Sequence, residues 1–228
     1  FVNAEVFDYI KSNNTIHFSI GELNLENIDN YTRIKDHNVG TLLNDGMPEL
    51  PVYSTFYQIQ EGIEYNISYI INDSYKIEDI NIYPEQSVEK ATYDNNLNKN
   101  FDFYSSNNAY PTKNLNVSDD MTMRDVKFIQ ISFVPFKYYP HLQHLEVFND
   151  VDIIVEEVGN DNQSNELLIS QSFEDLYDSF LINYERDEDP IYQQPAILYI
   201  GSSSAINNSY FQDLLHWRKE KGYIVYTA

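Results

Sequence analysis

The chain has 228 residues, which is enough for one large β domain with an appendage or for two small domains. Its formal charge of -22, from 36 acidic and 14 basic residues, argues against nucleic acid as a partner, because phosphate backbones are repelled. The absence of cysteine excludes a disulfide framework and a thiolate nucleophile, and no apolar run approaches the roughly 20 residues that span a bilayer.

The first two thirds of the chain are predicted to be β. Short apolar or alternating runs are separated by Asn, Asp, Gly and Pro, a pattern typical of strands. The predicted strands are Thr15–Ile20, Tyr31–Ile34, Val52–Gln58, Tyr65–Ile71, Tyr75–Tyr83, Val126–Pro135, His144–Phe148 and Val151–Val158. The last two are one long strand if Asn149-Asp150 is only a bend. Because no helical periodicity lies between these runs, residues 1–158 are expected to form an antiparallel β-sandwich or jelly roll.

Residues 159–194 are predicted to form a helix and a linker. Phe173, Leu176, Tyr177 and Phe180 recur at helical spacing and predict an amphipathic helix from Glu166 to Ile182. The charged run from Tyr184 to Pro190 is typical of an exposed interdomain linker. Arg186 in this run is a candidate site for proteolytic processing, and the alternative is a solubilising surface charge.

Residues 195–228 are predicted to begin an α/β domain. An apolar strand, Ala196–Ile200, precedes a serine-rich loop, a helix over Ser209–Lys221, and a second strand, Tyr223–Tyr226. This order is typical of a parallel sheet, whose strands are buried on both faces when the sheet is complete. The α/β domain is therefore expected to be incomplete in this chain.

Three motifs spread over most of the chain share one resemblance. Gly46 to Val52 reads Gly-Met-Pro-Glu-Leu-Pro-Val, Met123 to Phe148 contains Pro135-Phe136-Lys137-Tyr138-Tyr139-Pro140, and Leu215 to Tyr223 reads Leu-His-Trp-Arg-Lys-Glu-Lys-Gly-Tyr. In order and spacing these segments resemble the gingipain-like cysteine peptidases of family C25. The first two are similar to the pro-region of that family, and the third is similar to the first helix of its catalytic domain.

The resemblance implies a secreted or cell-surface zymogen whose signal peptide has been removed. A β-sandwich pro-region would precede a caspase-like α/β peptidase domain, assist its folding and block its active site until cleavage. The expected partner is therefore this peptidase domain, either within one chain or as a cleaved non-covalent complex. The family's Cys and His lie far into the catalytic domain, so the full-length parent is expected to be a cysteine endopeptidase although this chain has no catalytic residue.

The resemblance also suggests site residues. Arg124 matches the position from which a gingipain-like pro-region presents an arginine to the substrate pocket, and Lys127 is the nearby alternative. The plainer interpretation of Arg124 is a surface arginine paired with Asp119, Asp120 or Asp125, a contact worth little energetically.

No metal ligand is predicted in these residues. His141 and His144 lie beside a turn without a third ligand. Calcium is implied only for the parent's catalytic domain. Two other functions remain open: a β-sandwich module that binds, for example, carbohydrate at a cell surface, and the pro-region of a C25-like sortase of type IX secretion.

Overall fold

The computed structural model describes residues 6–36, 39–86, 97–124, 126–159 and 168–228. The strands are β1 (Phe7–Ile10), β2 (Thr15–Ser19), β3 (Leu25–Ile28), β4 (Tyr31–Ile34), β5 (Gly40–Thr41), β6 (Pro51–Ile59), β7 (Glu64–Ile77), β8 (Leu115–Val117), β9 (Met121–Met123), β10 (Val126–Phe133), β11 (Phe136–Tyr139), β12 (His144–Val158), β13 (Ala196–Tyr199) and β14 (Ile224–Thr227). The α-helices are α1 (Phe101–Tyr104), α2 (Glu174–Phe180), α3 (Ser203–Ile206) and α4 (Ser209–Glu220). Short 3-10 turns lie at Lys11–Asn13, Pro140–Leu142 and Gln171–Phe173.

The first sheet is built around the long strand β12. Strand β7 runs antiparallel along one side of β12, from Leu145 paired with Ile77 to Val158 paired with Glu64. On the other side, β11 pairs with the first part of β12 and β2 pairs with the second part, with β1 outside β2. All these pairings are antiparallel.

The second sheet is built around β6 and β10, which are also antiparallel neighbours. Strand β5 pairs with β6, and strands β8 and β9 pair with successive parts of β10. Alternate residues of β6, from Pro51 to Ile59, are buried and turn toward the first sheet. The predicted antiparallel, mainly β character of this region is confirmed.

The two sheets share one apolar core. Phe18 of the first sheet packs edge-on against Phe133 and Tyr53 of the second, with ring centroids 5.4 and 5.3 Å apart. The largest fully buried side chains of this core also include Phe136 and Tyr138. Aromatic side chains of this size bury 150–250 Å² each, so they dominate the stability of such a core.

Two pairs of strands that were predicted separately are single strands. Tyr65–Ile71 and the start of Tyr75–Tyr83 form the one strand β7, which ends at Ile77. His144–Phe148 and Val151–Val158 form β12, with register shifts between Phe148 and Val151. Asn149 is therefore at a β-bulge, in which one extra residue bends a strand without ending it.

The helix after the β domain is shorter than predicted. It was predicted from Glu166, which lies outside the described residues. Residues 168–170 are irregular, a 3-10 turn follows, and α2 begins at Glu174 and ends at Phe180. Leu181 then adopts an extended conformation because its segment pairs with the edge of β6 at Phe56.

Residues 168–184, which we call the strap, cover the outer face of the second sheet. Buried Tyr177 and Leu181 of the strap form a second apolar cluster with Val126 and Phe128 of β10. Phe180 stacks on Phe56 of β6 at a centroid distance of 4.1 Å. The strap therefore forms a third layer on the side of the second sheet that faces away from the main core.

The last part of the chain contains the predicted strand, helix and strand. Strands β13 and β14 pair in parallel, with Ala196 opposite Ile224, and α4 lies between them in the chain. Helix α3 occupies the segment that was predicted as a serine-rich loop, because the side chain of Ser202 caps it by accepting a hydrogen bond from the Ala205 N–H. Among the described residues, no helix has the length and apolar character needed to cross a membrane.

Candidate functional site

Arg124 lies at the tip of a tight hairpin on the second sheet. Strands β9 and β10 pair from Met123 and Val126, so only residues 124 and 125 connect them. Two-residue hairpins of the favoured type require positive φ angles, and Arg124 has φ 54°. A side chain in this left-handed region costs about 1–3 kcal/mol, which the surrounding pairing must offset. The fold therefore holds Arg124 at an exposed tip.

The side chain of Arg124 contacts the strap. Its guanidinium carbon lies 4.8 Å from the centroid of the Phe173 ring, a cation-π geometry. The sequence suggested carboxylate partners for Arg124 and gave no sign of this ring. Phe173 is 49 positions away in the chain, and no local pattern links the two residues.

The strap also supports the backbone of the Arg124 hairpin. The hydroxyl of buried Tyr177 donates to the carbonyl oxygen of Met123 at 3.4 Å. Met121 and Met123 of β9 pack on the same apolar cluster. Strand β9 has only three residues, so these contacts add to the weak pairing that such a short strand provides.

Lys127 differs from Arg124 in its surroundings. Its ammonium donates to the Glu61 carboxylate at 2.7 Å, and this hydrogen bond holds the pKa of Glu61 below its usual range. Lys127 follows Arg124 by three positions and lies within the paired part of β10, opposite Ile59 of β6. Lys127 is therefore engaged on the body of the domain, whereas Arg124 is at the tip of the hairpin.

Arg186 lies in the exposed segment that was predicted as a linker, but its side chain is bound to the strap. One guanidinium nitrogen donates to Asp175 at 2.8 Å and to Asp178 at 2.9 Å, both on α2. Glu185 next to it pairs with Lys11. Exposed ion pairs of this kind contribute little to stability, so the segment can still open to a protease.

The two arginines contact one short stretch of chain. Arg124 lies over Phe173, and Arg186 binds Asp175 and Asp178. The strap thus connects the hairpin tip to the candidate processing segment. Within the ranges that the structure describes, no group of three or more His, Cys, Asp or Glu side chains is placed to hold a metal ion.

Comparison with known proteins points to one family. The family model described as Propeptide_C25 matches residues 8–192. The fold is similar to a solved complex of Porphyromonas gingivalis RgpB pro- and mature domains, with a TM-score of 0.63 and 20% identity over 75% of this chain and 92% of that chain. It is also similar to a structure on the zymogenic latency of gingipain K from Porphyromonas gingivalis, with a TM-score of 0.54 and 18% identity over 64% of this chain and 87% of that chain. A search of curated proteins finds no match.

Proposed function

Since the chain belongs to the C25 propeptide family, we propose that it is the pro-region of a secreted cysteine endopeptidase and that it keeps the active site closed until it is cleaved away. The main structural support for this proposal is the position of Arg124, an exposed arginine held at a two-residue turn. One similar structure is a complex of RgpB pro- and mature domains, and the other concerns the zymogenic latency of gingipain K, which supports this assignment. The partner is then the peptidase domain of the same precursor.

Inhibition by Arg124 requires a pocket that contains a carboxylate. The planar guanidinium can bond such a carboxylate in two places, which fixes its orientation as well as its charge. To enter the pocket Arg124 must leave the Phe173 ring, and an exposed cation-π contact is worth only about 0.5–1 kcal/mol. Truncating one partner of a desolvated arginine–carboxylate pair typically costs about 2–5 kcal/mol, part of which is the penalty of leaving the other charge unpaired. Loss of the contact with the Phe173 ring is therefore a small cost beside the effect expected from truncating Arg124.

The test is the inhibition constant of the separately expressed pro-region against the mature peptidase. Arg124→Ala is expected to weaken inhibition by roughly one and a half to three and a half decades. Lys127→Ala is the matched control, because Lys127 is engaged with Glu61, and it is expected to do much less. Equal effects of the two substitutions would place inhibition in the body of the domain instead.

We further propose that processing follows Arg186. This residue lies in the exposed, charged segment between the strap and the parallel β13–β14 unit, and only exposed ion pairs hold its side chain. N-terminal sequencing of the self-activated enzyme should give Asp187 or a residue within a few positions of it, and Arg186→Gln should leave this bond intact. A mature N-terminus inside Phe1–Val158 would contradict the assignment.

The domain boundaries proposed from these assignments are 1–158 for a β-sandwich pro-domain, 159–194 for the helix and processing linker, and 195–228 for the start of a caspase-like peptidase domain. The family match through residue 192 supports grouping the strap and linker with the pro-region.

The alternative function, sugar binding by exposed tyrosines, finds less support. Tyr53, Tyr57, Tyr138 and Tyr177 are buried, which favours packing over sugar stacking as the role of these tyrosines.

A further inference from the structure

After the charged segment, two consecutive residues of the chain contact the strap. The Tyr192 hydroxyl donates to a carboxylate oxygen of Glu174 at 2.6 Å, and the Gln193 N–H donates to the Ile169 carbonyl oxygen at 2.8 Å. We call Tyr192 and Gln193 the latch. The Glu174 side chain that receives Tyr192 belongs to a residue only 6% exposed. A buried carboxylate is costly when it lacks a hydrogen-bond donor, so this contact matters to the strap.

On the amino side of Arg186 the chain is bound at a separate place. The Ile182 N–H donates to the Phe56 carbonyl oxygen at 2.9 Å. The Asn183 side chain accepts from the Gln58 N–H at 2.7 Å and donates to the Gln58 carbonyl oxygen at 3.0 Å. Arg186 therefore lies between two anchored points, and neither set of contacts includes the peptide bond that follows it.

We propose that the surface formed by Ile169 and Glu174 is a binding site for the amino-terminal segment of the released peptidase, which stays docked through Tyr192 and Gln193 after cleavage. This inference rests on the proposed function, and it requires that the cut fall between Asn183 and Tyr192. At this site the Glu174 carboxylate accepts a hydrogen bond from a phenol hydroxyl, and the Ile169 carbonyl oxygen accepts one from a backbone amide.

Two observations support the latch. The Tyr192 hydroxyl donates to the carboxylate of a buried residue, and this hydrogen bond raises the pKa of the Tyr192 phenol. The family match also extends through residue 192, past the charged segment. Tyr192 therefore lies within the part of the chain that matches the pro-region family, although it follows the proposed cut.

The first test uses the intact chain of 228 residues. Hydrogen exchange measured by NMR should show the Gln193 amide protected in the wild type. Tyr192→Phe removes only the hydroxyl and should raise its exchange rate by about two- to ten-fold, the range that a typical net hydrogen bond gives. Glu174→Gln keeps an acceptor oxygen, so its Gln193 exchange rate should lie between the rates of the wild type and of Tyr192→Phe. Tyr226→Phe is the matched control, because Tyr226 is 56% exposed, and should leave the rate unchanged.

The second test uses the same chain nicked by brief trypsin digestion, with the cut after Arg186 verified by mass. The two fragments should stay together on size-exclusion chromatography, and Tyr192→Phe should speed their dissociation by about two- to ten-fold, while Tyr226→Phe should not. An unprotected Gln193 amide, or equal behaviour of Tyr192→Phe and the wild type, would overturn the latch. Neither test involves the peptidase, so a chain that passes both but does not inhibit would refute the proposed function alone.

Discussion

Gly46 shows how one residue sets the local structure of the Gly-Met-Pro-Glu-Leu-Pro motif. It has φ +79°, a conformation that side chains rarely adopt. A Cβ at this position would lie 3.1 Å from the backbone nitrogen of Asn100, which donates to the Gly46 carbonyl oxygen at 2.9 Å. The glycine is thus required both by its backbone angle and by the close approach of another chain segment.

Gly46→Ala is therefore expected to lower the free energy of unfolding by roughly 1–3 kcal/mol, the cost of a left-handed non-glycine residue. Gly21→Ala is the control, because no atom lies within 4 Å of its added Cβ, and it should change stability by no more than about 0.5 kcal/mol. Urea denaturation of both variants measures the difference. Equal stabilities would show that the Gly46 turn relaxes without cost.

Residue roles were only partly predictable from the sequence. The exposure of Arg186 followed from its charged neighbours, since a run of acids with a proline does not pack into a core. The inhibitory role suggested for Arg124 came from the family resemblance and not from its neighbours in the sequence. Its contact with Phe173 and the contact of Tyr192 with Glu174 depend on how distant segments pack, which a single sequence does not encode in any local pattern.

At the scale of elements, three of the four strap side chains that were predicted to pack inward do so, and the fourth does not. Tyr177 is fully buried as predicted, and Phe173 and Phe180 pack on the same apolar cluster. Leu176 was expected to pack inward but is 44% exposed. The helix has only seven residues, and Leu181 of the extended segment after it fills the inner position instead.

Leu181→Ala should accordingly destabilise the strap by about 2–5 kcal/mol, the usual cost of deleting a buried leucine side chain. Leu176→Ala should cost no more than about 0.5 kcal/mol, because most surface substitutions have small effects. Thermal or urea unfolding monitored by fluorescence would compare the two. A larger loss for Leu176→Ala would mean that the strap packs by its other face.

The strand β7 shows why strand lengths were predicted less well than strand positions. Asn72, Asp73 and Ser74 are residues typical of turns, which predicts a break between two strands. In the structure they continue one strand on its exposed side. Asn72 donates to Asp150 at 3.0 Å, and Asn149 donates to Asp73 at 2.7 Å, so the polar side chains pair with the bulge of β12.

At the scale of the whole molecule, local patterns predicted the kinds of pairing but not the arrangement of layers. Alternation predicted antiparallel strands in the first region, and a strand, helix and strand predicted the parallel pair at the end. The edge-on contact of Phe18 with Phe133 joins two sheets whose residues are far apart in sequence. The separate cluster under the strap likewise has contributors from β6, β9, β10 and α2.

We propose that this chain restrains the peptidase of its own precursor. The most direct measurement is a titration of that mature peptidase, at fixed concentration, with the separately expressed chain, reading the residual hydrolysis of a peptide substrate. Reversible loss of activity is expected, and it should be complete at about one equivalent when the peptidase concentration is well above the dissociation constant. Full peptidase activity in the presence of excess correctly folded chain would contradict it.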